Sequence, residues 1–197
     1  MTSVQTPTDY RLLLPDGWFR ISLAPEQRER SVDALVERQF KGIDDAPHLK
    51  RQVRKELLAR TATAYQNGGI ELYLSMQQAG PGTIPASLLV TFVPPQHPEP
   101  VPVEELKSVL ARNGSPGQRI SVEELPSGLA VRVRARAIPG SEDPSGNTLP
   151  TTSVDYHIPI PNSPAYLLLS FSSPLDPIAD AMVGLFDAIA TSLTWTG

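Results

Sequence analysis

The chain of 197 residues contains no cysteine. Disulfides, thiolate nucleophiles and cysteine-ligated metals are thereby excluded, while the redox compartment stays open, because a cysteine-free chain suits either environment. Histidine is scarce as well. With only His48, His97 and His157, and no thiolate beside them, no structural zinc site is expected. No run reaches the roughly 18 to 20 apolar residues of a bilayer span, so no membrane insertion is expected. The opening MTSVQTPTDY has neither the basic nor the apolar region of a secretory leader, and the expectation is a soluble, cytoplasmic protein. An excess of positive charge is also missing: a net charge of −4 and a pI near 5.4 offer no general attraction to nucleic acid or anionic membrane. There is no phosphate loop, dinucleotide fingerprint, nucleophile elbow, HExxH pair or calcium loop, so no cofactor, metal ligand or catalytic residue is assigned.

What is present is an ordinary globular composition, 40% hydrophobic and 19% charged, with 21 prolines that mark loop and strand ends. The length suits one domain, 10–197, after a loose tail of residues 1–9. Its most apolar stretch closes the chain. AYLLLSFSSP carries large apolar residues at both alternating sets of positions, which predicts a central strand covered on both sides. DPIADAMVGLFDAIATSL then reads as a helix with Asp176 at its N-cap, Pro177 at its first position and Asp180 in its first turn. Ile178, Met182, Leu185, Ile189 and Leu193, widened by Ala181, Phe186 and Ala188, form the stripe expected to lie on the sheet.

Before this the periodicity changes repeatedly. Short strands at 12–14 and 18–23 flank a Pro15-Asp16-Gly17 turn. Helices are predicted over 25–40 and 46–66, the second opening after Asp44 and Asp45, with Leu49, Val53, Leu57, Ala64 and Tyr65 inward. Lys50, Arg51, Arg54, Lys55 and Arg60 form its basic face, either a solvated surface balanced by acids or a surface for phosphate or an acidic partner. Strands follow at 70–77 and 85–93, then PPQHPEPVP at 94–102, a stiff proline connection, and a short helix over 103–112. A meander at 120–125 and 129–137, a polar loop at 139–150 and a strand at 152–160 lead to the closing stretch; Pro159 and Pro161 suggest that this strand ends early or sits near an edge. The fold class is α+β: a mostly antiparallel sheet of about six or seven strands, one face packed by the helices that start near Pro25 and Asp176.

Three strands offer polar residues at alternate positions: Glu71 and Tyr73; Arg132, Arg134 and Arg136; Asp155 and His157. If the strands lie side by side these form one mixed-charge face. Such a face is either solvated cross-strand ion pairing or a surface for an anion or a peptide partner, since the guanidinium fork suits carboxylates and phosphates. A second possibility is a small-molecule or hydrolytic site around His157, Asp155 and Arg134.

The order of elements, with an LPxGW-type opening (Leu14, Pro15, Gly17, Trp18) and a closing strand that runs into a helix with Phe186, Ile189 and Ser192, resembles the Mog1/PsbP-like α/β/α sandwich group and its actinobacterial LpqN-like relatives. The resemblance implies a non-catalytic binding, adaptor or chaperone-like module whose partner is another protein; it carries over no functional residue. The Pro-, Ala- and Arg-rich composition suits a high-GC actinobacterium, where small proteins of this style accompany type VII secretion genes.

Overall fold

The computed structural model describes residues 6–43, 46–80, 82–138 and 149–197. Its elements in chain order are strands β1 (Asp9–Arg11) and β2 (Trp18–Ser22), helices α1 (Pro25–Gln39) and α2 (Pro47–Gln66), and strand β3 (Gly69–Ser75). The two-residue strands β4 (Gln78–Ala79) and β5 (Gly82–Thr83) pair with each other before β6 (Ser87–Val93), α3 (Val103–Asn113), β7 (Arg119–Leu125) and β8 (Gly128–Ala137). β9 (Thr151–Pro159), β10 (Tyr166–Ser173), a 3-10 turn (Asp176–Ile178), α4 (Ala179–Thr191) and β11 (Thr194–Thr196) complete it. The expected tail's first five residues, the Asp44-Asp45 helix opening, Pro81 of the expected turn and most of the 139–150 loop lie outside the described residues.

Seven strands form one antiparallel sheet in the order β2-β3-β6-β10-β9-β8-β7. The protein is thus α+β, and the closing strand β10 stands at the middle of the sheet. β9 is an interior strand and not an edge: Pro159 is its last residue, where a missing N–H removes little from the ladder, and Pro161 lies beyond it. The strand expected at 12–14 forms earlier in the chain, at Asp9–Arg11, and pairs outside the main sheet with β11.

The N- and C-terminal helices do not share a sheet face as the sequence suggested. Alternate residues of β6 separate them: Leu88 and Val90 pack in the cluster built on Met182, Phe186 and Ile189 of α4, whereas Leu89 joins the cluster of Val32, Leu35 and Val36 of α1. An α/β/α sandwich follows. On α4 the buried residues are Met182, Val183, Phe186, Ile189 and Ala190, while Ile178 is 45% exposed and Ala181 and Ala188 face solvent, so the stripe is rotated from the expected one. On α2 the inward set is Val53, Leu57, Leu58, Thr61 and Ala64; Leu49 and Tyr65 are exposed. Gly68 joins α2 to β3 at φ +85°, and a Cβ there would come within 2.7 Å of the Phe92 carbonyl oxygen, so this position requires glycine.

Candidate binding site on the half-open sheet face

Cross-strand register assigns each strand residue to a face. Glu71, Val90, Leu169, Tyr156 and Arg132 lie opposite one another across successive strands, as do Tyr73, Leu88, Phe171, Val154 and Arg134. Both rows face α4, whose cluster holds their apolar members. The other face carries Leu89, Ser170, Asp155 and Val133 in one row, and Thr91, Leu168, His157 and Val131 in the next. The single mixed-charge face anticipated from the sequence is therefore two faces. Asp155 lies opposite Val133 and not opposite an arginine, and with a side-chain period of two that one-residue offset separates Asp155 and His157 from Arg132, Arg134 and Arg136.

The arginines form a ladder with the acids of the C-terminal helix. Arg132 donates from Nε and Nη2 to the two oxygens of Asp187 at 2.9 and 3.1 Å, Arg134 donates to Asp180 at 2.6 Å, and Arg136 donates in bidentate fashion to Asp176 at 2.7 and 3.0 Å. Asp187 also accepts from the Tyr156 hydroxyl at 2.8 Å. Asp176 and Asp180 thus serve the sheet more than the helix start: no side-chain cap bond forms at either turn, and the Arg136 hydrogen bond holds the Asp176 carboxyl below its usual range. Glu71 is likewise occupied. Its Oε2 accepts from Tyr10 and Tyr73, each at 2.6 Å, and its Oε1 from Arg20. The basic face of α2 is partly balanced in the same way, with Arg54 bridging Asp33 and Glu29 at 2.6 Å each and Lys50 meeting Glu37 at 2.7 Å.

Asp155 and His157 stand somewhere different. α1 and α2 cover the β2, β3 and β6 end of their face, and α3 packs on β7 and β8. Between these helices the middle of the sheet is only half covered. Along β10, Leu167, Leu169, Phe171 and Ser173 are buried, but Tyr166, Leu168, Ser170 and Ser172 are partly exposed, and Leu168 belongs to neither core cluster. The expectation that the closing strand is covered on both sides holds only in part: among the described residues three helices share the second face, and the middle of β10 lies between them, partly exposed.

At one end of this gap a cavity of about 210 Å³ opens. The sheet supplies Val93, His157 and Tyr166, α3 supplies Glu105, Leu106 and Val109, and the proline connection supplies Pro94, Gln96, His97 and Val101. Tyr166 fastens that connection by donating its hydroxyl to the Val101 carbonyl at 2.7 Å. Pro164 completes the rim from the β9–β10 turn, where Asn162 takes φ +57°, a left-handed conformation that asparagine tolerates. Sequence reasoning found His157 and missed its neighbours, His97 among them. The available signal was the helix 103–112 itself, whose Leu106 and Val109 need an apolar partner.

Burial pushes the His157 imidazole down to about 4, and burial raises the Asp155 carboxyl, partly offset by a hydrogen bond from Ser170. Burial alone accounts for the histidine shift, and among the described residues no hydrogen bond joins Asp155 to His157. An unfolded histidine protonates near pH 6.5 and folded His157 only near 4; between them the unfolded chain binds more protons, so stability falls as pH drops through that window. The loss reaches about 3 kcal/mol at most. Asp155, with its raised folded value, acts in the opposite sense just above the normal carboxyl range and blunts the lower end. Melting temperatures from pH 7 to 4.5 are expected to fall less steeply in His157→Gln than in the wild type; parallel curves would refute the assignment.

No family model matches the chain, and no curated protein matches it in sequence. Among solved structures, LpqN of Mycobacterium tuberculosis, involved in cell envelope biogenesis, aligns with a TM-score of 0.50 at 12% identity, over 99% of this chain and 88% of that one. Mog1p, a Ran-binding protein of Saccharomyces cerevisiae, aligns at 0.48 with 8% identity over 94% and 89% of the two chains. PsbP of the cyanobacterium Synechocystis aligns at 0.43 with 12% identity over 94% and 86%. Likeness at these identities is one of architecture: this chain has the α/β/α sandwich fold that it shares with LpqN.

Proposed function

We propose that this protein is a non-catalytic binding or adaptor module that engages another protein across the half-open sheet face between α1/α2 and α3. The observation that carries this reading is the asymmetry of the central strands. Val154, Tyr156, Ile158 and Leu169 are at most 2% exposed, whereas Thr91, Leu168 and Ser170 on the opposite face are only partly covered between two helical walls. A strand face that carries Leu168 among polar neighbours and stays only partly covered in the folded chain is a surface available to a partner. The hydrolytic alternative loses its geometry, because Arg134 is bound to Asp180 on the opposite face and Asp155 accepts from Ser170.

Leu168→Arg tests the reading. A charge there faces the gap and disturbs neither core, so the variant is expected to melt close to the wild type while losing about tenfold or more in affinity for the protein that co-purifies with it. Arg20→Ala, on the α4 face, serves as the control that keeps binding. Equal recovery of that protein by Leu168→Arg and wild type would exclude this face.

A further inference from the structure

We infer that the cavity beside His157 is a site for a single uncharged ring bearing a hydroxyl, the chemistry of a phenol. The inference rests on the binding-module reading and names the ligand class for one end of its surface. Size is the first argument. About 210 Å³ is larger than the roughly 150 Å³ that accommodates benzene and smaller than the roughly 300 Å³ at which pockets for drug-sized ligands begin. One substituted ring fits that interval.

Polarity is the second. Val93, Val101, Leu106 and Val109 make the walls apolar, and the Tyr166 hydroxyl is already committed to the Val101 carbonyl. Among the described residues the His157 ring makes no hydrogen bond, and burial keeps it neutral at ordinary pH, with one N–H and one lone pair to offer. A phenol hydroxyl can satisfy either. Charge completes the choice: the Glu105 carboxylate on the lining opposes an anion, and a cation that loses its hydration against Val93, Val101, Leu106 and Val109 is repaid only by Glu105, which is itself exposed to solvent.

The test titrates the full chain with p-cresol and toluene, which differ by the hydroxyl, and follows backbone amides and the His157 ring by NMR. p-Cresol is expected to bind about fivefold tighter, the share of one net hydrogen bond. In His157→Leu the two should bind within about twofold of each other, and Val109→Trp, which fills the space, should abolish both. N-acetyltyrosinamide identifies the source. Binding as tight as p-cresol assigns the ring to a tyrosine presented by a partner protein, and binding weaker by about tenfold assigns it to a free phenol; both support the site. Toluene binding as well as p-cresol to the wild type, or no saturable shift around the cavity up to about 10 mM, would overturn it. The two proposals fail separately. A chain that binds p-cresol but loses no partner through Leu168→Arg refutes the protein-binding face alone, and one sensitive to Leu168→Arg that ignores p-cresol refutes the phenol site alone.

Discussion

Leu169→Ala is expected to destabilise the protein by about 2–5 kcal/mol, while Leu168→Ala, one residue away on the same strand, costs less than about 1.5 kcal/mol. Both residues are leucines in the central strand of the sheet, so composition and secondary structure assign them equal weight. The difference lies in what covers them. Leu169 is 0% exposed in the cluster that contains Phe171 and Phe186, whose rings stack with centroids 5.0 Å apart. Truncation there removes apolar contact and leaves a cavity that close-packed aromatic neighbours cannot fill. Leu168 joins neither cluster and is already partly in water, so the same truncation removes less buried area and opens no void. Urea midpoints of the two variants check this directly. Equal losses would mean that something covers Leu168 as fully as α4 covers Leu169, and the half-open face would not exist.

This pair of leucines also marks where sequence reasoning stopped. The pattern within 166–173 identified the strand and its place inside a sheet, because it puts large apolar residues on both alternating faces, Tyr166 and Leu168 on one and Leu167, Leu169 and Phe171 on the other. It could not say whether the second apolar face meets a helix or a partner, since that depends on how far α1, α2 and α3 reach across the sheet. The same limit governs the polar residues. Arg132, Arg134 and Arg136 have a period of two, and Asp176, Asp180 and Asp187 follow helical spacing, so neither set announces the other. Their pairing appears only once α4 lies over β9 and β10, within reach of the β8 arginines, and it also explains the rotated helix stripe, because the aspartates must turn toward the arginines. Which face an arginine occupies is set by long-range register, and no local pattern encodes it. Helix and strand existence was legible; the partition of seven candidate residues between two faces was not.

Glu71→Ala is the second large effect, expected to cost about 3 kcal/mol, although Glu71 was first a candidate for a binding surface. Its carboxylate is 13% exposed, and both oxygens are occupied, one by the Tyr10 and Tyr73 hydroxyls at 2.6 Å and the other by Arg20. Removing it leaves two half-buried hydroxyls without an acceptor, each worth about 1–3 kcal/mol when unsatisfied. Arg20→Ala should cost less than about 1 kcal/mol, because that guanidinium is 65% exposed and water replaces its partner readily. Burial, reinforced by the Glu71 hydrogen bond, pushes both phenols well above the ordinary tyrosine range. Above pH 10 the unfolded chain therefore gives up protons that the folded chain keeps, and stability falls as pH rises. Because Tyr10 belongs to β1, the Glu71→Ala variant should also expose the amides of Asp9–Arg11 to faster hydrogen exchange, with β11 following as their antiparallel partner. Unchanged exchange there, with stability lost elsewhere, would show that β1 is held by its own pairing with β11 and that the Glu71 cluster stabilises only the sheet beneath it.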